Sequence, residues 1–122
     1  MIAISACLMG IPCRYNGETV SCPDLVKQCA GYPVILFCPE VLGGLLTPRS
    51  PAEICDGTGV EVLKGQAQIR NAEGNDVTQF YLVGAQRAAA LLKECNVQLA
   101  VLKEKSPSCG LHYIYDLSLI HI

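Results

Sequence analysis

Three cysteines occupy positions from which they can act together. Cys7 follows the apolar run IAISA, Cys38 follows PVILF, and Cys109 lies in the loop after VQLAVL. Each is in or beside a segment rich in Gly and Pro. In an open parallel sheet, the loops beyond the carboxyl ends of the strands meet in one crevice, where ligands bind. Three thiols distant in sequence would converge there. Thiolates are soft ligands that suit zinc, copper(I) or iron–sulfur clusters. The chain has no CxxC pair, so the compact zinc-ribbon pattern is missing. Three thiolates leave one coordination position over, as in a catalytic rather than a closed structural centre. A single cysteine at a strand end is more often a small buried side chain. Three at one sheet edge shift the balance toward a site.

Polar side chains share those loops. Glu40 lies two residues after Cys38 in CPEVLGG and is a candidate general base or proton shuttle, though a solvated loop acid is as common. Ser106 and Ser108 flank Pro107 just before Cys109; serines there close turns, or donate a hydrogen bond to a substrate heteroatom. Arg14 and Tyr15 of CRYNG, and Arg49 of TPR, are candidates to orient a planar polar ligand. Cys13, six residues after Cys7, is ambiguous. Cys22, Cys29, Cys55 and Cys95 read as packing or loop residues, and His112 and His121 carry no assignment.

The elements that must position these groups follow from hydrophobic pattern and turn residues. Buried strands are expected at 2–6, 33–37 and 97–102. A short helix is expected over about 24–30, closed by Gly31, and a longer one from Asp76 or Thr78 to about Cys95, ended by Asn96. Gly43, Gly44, Pro48 and Pro51 make 39–58 read as a long loop. Residues 60–63 and 67–71, around Lys64-Gly65, read as a hairpin. Apolar strands alternating with helices indicate an α/β fold: a small three-layer domain with a mainly parallel sheet, right-handed crossovers and its ligand site at the carboxyl ends of the strands.

At 122 residues the chain fits one domain of about 150. With 51% hydrophobic and only 16% charged residues it can bury a core, which excludes disorder. Nine Lys+Arg and a pI near 5.6 exclude a basic nucleic-acid binder. No apolar stretch is long enough to span a membrane. MIAISACLMG has no Lys or Arg before its apolar run, so it reads as a first strand rather than a signal peptide. A cytoplasmic protein with reduced thiols is therefore expected, and a four-disulfide framework is set aside.

At these residues the sequence resembles a bacterial family. SACLMG (5–10), CRYNG (13–17), CPEVLGGLLTPR (38–49), GNDVT (74–78) and KSPSCG (105–110) match, in order, the pattern of the thiouracil desulfidase family. The resemblance runs from about residue 2 to Asp116, expected to form one domain. It implies a [4Fe-4S] cluster held by Cys7, Cys38 and Cys109 with one open iron, and leaves Cys13 out of the ligand set. It places the catalytic acid on Glu40 and the catalytic serine on Ser106. The implied reaction is non-redox removal of sulfur from a small thiocarbonyl compound such as 2-thiouracil. The alternatives are a non-catalytic iron–sulfur or zinc module, and a sulfur carrier using Cys109 as persulfide acceptor. The family pattern continues past IYDG with a Gly-rich segment and a final helix. Residues 117–122 (LSLIHI) depart from it and are expected to be an atypical or truncated tail that packs poorly. Leu111-His112 stand where small or polar residues are expected.

Overall fold

The apolar N-terminal run forms β1 (Ile2–Ser5), the middle strand of a three-stranded parallel sheet between β2 (Val34–Phe37) and β5 (Leu99–Val101). The structure is a computed structural model describing residues 1–18, 22–103 and 108. Ile2 is in register with Val34 on one side and Leu99 on the other. Ala3 and Ile4 are fully buried, as a strand with parallel neighbours on both sides requires. The register pairs Ser5 with Phe37, so the chain leaves β1 and β2 at one level of the sheet. That level is where Cys7 and Cys38 stand.

The connecting elements serve this edge. A 3-10 turn (Ala6–Met9) follows β1 and ends at Gly10, whose φ of 90° is open to glycine at little cost. α1 (Pro23–Gln28) is shorter than the 24–30 expected. α2 (Pro39–Leu42) starts directly from Cys38, and α4 (Thr78–Glu94) carries the buried stripe Tyr81, Gly84 and Ala88. α4 covers the sheet with Ala88, Leu91 and Leu92 packed around Ala3 and Phe37. α2 lies on α4 with unusual closeness. A β-carbon at Gly43 would run into the Phe80 carbonyl, and one at Gly84 into the Pro39 carbonyl.

The parallel α/β architecture agrees with the sequence, but the middle of the chain does not follow the expected hairpin. Residues 59–63 form a helix, α3 (Gly59–Leu63), not a strand. Thr58 and Glu61 make a capping box in which the Glu61 carboxylate accepts the Thr58 amide at 2.9 Å. The Thr58 hydroxyl, which also donates to this carboxylate, and then the Thr58 amide hold the Glu61 carboxyl below its usual range. The second half of the expected hairpin, β4 (Gln68–Asn71), pairs antiparallel with β3 (Ala52–Cys55), so a separate two-stranded sheet exists. β3 and α2 both lie inside the segment read as a loop. A second core of Val62, Ala67, Ile69, Val77 and Tyr81 joins this sheet to α4. α4 begins where expected: Asp76 Oδ1 accepts the Thr78 amide at 2.9 Å, and Asn96, at φ 52°, lies just past its end. Ser106, Cys109, Leu111, His112, His121 and residues 117–122 lie outside the described residues.

Candidate functional site

The turn after β1 brings thiols together before any ligand is considered. Gly10 N donates to the Cys7 carbonyl at 3.2 Å and Ile11 N to the Ala6 carbonyl at 3.2 Å, which folds the chain back on itself. Cys13 consequently returns to Cys7. Both are buried, with Ala6, Leu8 and Cys38 packed around them. The Cys38 thiol points at the Cys13 carbonyl, at 3.9 Å. Every described cysteine is a free thiol. Burial first, and then the neighbouring Cys38, pushes the Cys7 thiol above its ordinary range. The same two causes push Cys13 up to about 12. Thiols so placed stay protonated until a cation replaces their protons.

This donor set fits a soft metal group. Cys7 and Cys38, two of the three cysteines expected to bind, meet at one end of the parallel sheet, and the third, Cys109, is outside the described residues. Among the described residues no group of three or more His, Cys, Asp or Glu side chains closes tightly enough to hold a metal ion. A mononuclear zinc draws its sulfurs to about 2.3 Å from one point. A cluster takes each thiolate on a different iron and so accepts a more open arrangement.

Beside the thiols is a buried carboxylate. Glu40 sits in the first turn of α2, two residues past Cys38, and is 9% exposed. Its Oε1 accepts Arg49 Nε at 3.2 Å and the Tyr81 hydroxyl at 3.0 Å. Its Oε2 accepts the Ser108 hydroxyl at 2.8 Å. Arg49 ties the carboxylate to the thiol loop, since Nη2 donates to the Cys13 carbonyl at 2.9 Å. Nη1 donates to the Leu46 carbonyl and to Thr47 Oγ1, both at 3.1 Å. The Arg49 amide donates to the Tyr15 carbonyl at 2.6 Å. Tyr81 is buried, and burial together with the adjacent Glu40 pushes its hydroxyl far above the ordinary tyrosine value. It therefore remains an O–H donor.

The structure thus brings together Cys7, Cys13, Cys38, Glu40, Arg49 and Ser108. Arg14 is half-buried, and its positive charge favours the ionised form of Cys7. Tyr15 enters through its backbone. Arg49, expected against a substrate, directs four N–H bonds at protein groups. Sequence reasoning missed Tyr81. The available signal was a tyrosine inside the apolar stripe of a helix: a buried phenol needs a partner for its hydroxyl. Among the described residues no helix is long and apolar enough to cross a membrane.

Residues 2–121 match the family described as 2-thiouracil desulfurase. The chain is 48% identical over 116 residues to a Bacillus subtilis (strain 168) protein named Uncharacterized protein YbbK, covering 95% of this chain and 77% of that one. Among solved structures it is similar to one described as the [4Fe-4S]-dependent thiouracil desulfidase TudS. The TM-score is 0.77 at 40% identity, over 93% of this chain and 70% of the other.

Proposed function

Because the chain belongs to the 2-thiouracil desulfurase family, we propose that it replaces the sulfur of a small thiocarbonyl compound such as 2-thiouracil with oxygen from water. The exchange is non-redox: the thiocarbonyl and one water give the carbonyl and one hydrogen sulfide, with no electrons gained or lost. Cys7, Cys38 and Cys109 would hold a [4Fe-4S] cluster, the group on which the similar desulfidase depends. When bound, it supplies a soft Lewis acid matched to thiocarbonyl sulfur.

The observation that carries this reading is a buried, three-donor carboxylate two residues from a thiol of the cluster site. Glu40 accepts a proton from the water that attacks the thiocarbonyl carbon. Arg49 keeps the carboxylate in place and couples it to the loop that carries Cys13. Ser108 keeps a hydroxyl at Oε2. Ser106 holds a ring nitrogen of the substrate or its proton. Arg14, whose charge acts on Cys7, and Tyr15 would orient a planar heterocycle from the CRYNG loop.

The test is anaerobic purification with iron and acid-labile sulfide analysis and an absorption spectrum, followed by incubation with 2-thiouracil. Four irons per chain, loss of the thiocarbonyl absorption and stoichiometric sulfide are expected. Bound zinc without turnover would make the chain a metal-binding module. Absence of both metals, with a persulfide on Cys109, would make it a sulfur carrier.

A further inference from the structure

A carboxylate offers about four lone-pair positions, two on each oxygen. In Glu40 both positions of Oε1 are filled, by Arg49 Nε and by the Tyr81 hydroxyl. Among the described residues, Oε2 carries the Ser108 hydroxyl alone and has one position over. The two oxygens are therefore not equivalent. We infer that Tyr81 is a positioning residue for the proposed reaction: together with Arg49 it holds Oε1, and so assigns proton acceptance to Oε2. The inference rests on the reading of Glu40 as the base and specifies which of its atoms acts.

Tyr81 suits the task in three ways. Its ring is fixed in the core formed by Val62, Ala67, Ile69 and Val77. Its helix is pressed against α2, the element that carries Glu40, through Gly43 and Gly84. Its hydroxyl, raised by burial and by Glu40, keeps its proton wherever a carboxylate can serve as base. Tyr81 is therefore a donor and not a competing base. The last torsion of a glutamate side chain is broad and roughly two-fold. With Tyr81 removed, one of the two donors on Oε1 is lost and the carboxylate can turn, so that the oxygen facing the water is no longer set.

The experiment is Tyr81→Phe in the cluster-loaded chain, which keeps the ring and removes only the hydroxyl. Iron content and visible spectrum should match the parent. The value of kcat should fall between about tenfold and a hundredfold, as for a misplaced catalytic group, with KM changed less than about twofold. A second readout needs no turnover. The Glu40 carboxylate stretch, followed by isotope-edited infrared difference spectra at one fixed pH and assigned with Glu40→Gln, should shift in frequency in Tyr81→Phe, because one hydrogen bond to Oε1 is lost. Parent-like kcat would overturn the positioning role, as would an unmoved carboxylate stretch. If the loaded parent itself leaves 2-thiouracil intact, the proposed function fails instead, and the infrared shift alone decides whether Tyr81 holds the Glu40 carboxylate.

Discussion

Gly43 and Gly84 meet backbone to backbone where α2 crosses α4, and neither has room for a β-carbon. The contact sets the distance between Glu40, at the start of α2, and Tyr81, one turn before Gly84 on α4. Glycine inside a helix ordinarily costs about 1 kcal/mol relative to alanine. Gly84→Ala should therefore stabilise the chain if only helix propensity mattered. The Pro39 carbonyl makes the opposite sign the expected outcome, a loss of roughly 1–3 kcal/mol as for overpacking elsewhere. Denaturant unfolding of the variant measures the sign directly.

Arg49 and Glu40 form an ion pair whose side chains are only 8% and 12% exposed. Breaking such a pair from one side leaves a charge stranded. Arg49→Met should cost roughly 3–5 kcal/mol. Arg49→Met combined with Glu40→Gln should recover a substantial part, because no buried charge is left over. A double-mutant cycle in urea reads the coupling. Strict additivity of the two single losses would show that Arg49 acts through its backbone partners, Cys13 and Leu46, rather than through Glu40.

Tyr81 gives the fold an alkaline limit. Its ordinary value is 10.0, and in the folded chain burial, reinforced by Glu40, raises it well above that. Below pH 10 both the folded and the unfolded chain hold the proton, and the contribution is complete. Above it the unfolded chain ionises while the folded chain does not, so stability falls as pH rises, by up to about 1.4 kcal/mol per pH unit. Tyr81→Phe lacks this linkage. The stability difference between parent and variant should be constant to about pH 10 and then shift in favour of the variant. The thiols titrate in both proteins and cancel. Parallel stability curves up to about pH 11.5 would contradict the buried, protonated state of Tyr81.

The sequence made the sheet legible because its strands are short apolar runs bounded by turn residues, and the thiol convergence followed from where Cys7 and Cys38 fall on them. The segment 39–58 misled for a physical reason. Pro39 looks like a breaker but stands at the first helical position, where its missing N–H costs nothing and its φ is already helical. The reading of 60–63 as a strand followed alternation and overlooked Thr58-x-x-Glu61, whose reciprocal caps favour a helix. Glu40 was legible as a polar group beside Cys38. Its partner Tyr81 was not, since the hydrogen bond joins residues 41 apart and depends on two glycines that allow the helices to touch.

On the proposed reading Cys7 and Cys38 are ligands and Cys13 is their neighbour. Cys7 and Cys38 closely follow the adjacent, paired strands β1 and β2, whereas Cys13 reaches the same pocket by the return of a loop and gives its carbonyl to Arg49. Cys13→Ser is expected to keep four irons and four sulfides per chain after anaerobic reconstitution, while Cys7→Ser and Cys38→Ser lose most of both. The serine at 13 preserves size and a hydrogen-bonding side chain, and the Arg49 contact, made to the backbone, is untouched. Circular dichroism on all three variants separates ligand loss from unfolding. Retention of the cluster in Cys38→Ser together with its loss in Cys13→Ser would exchange the roles of these two residues. The centre would then be built from the CRYNG loop rather than from the end of β2.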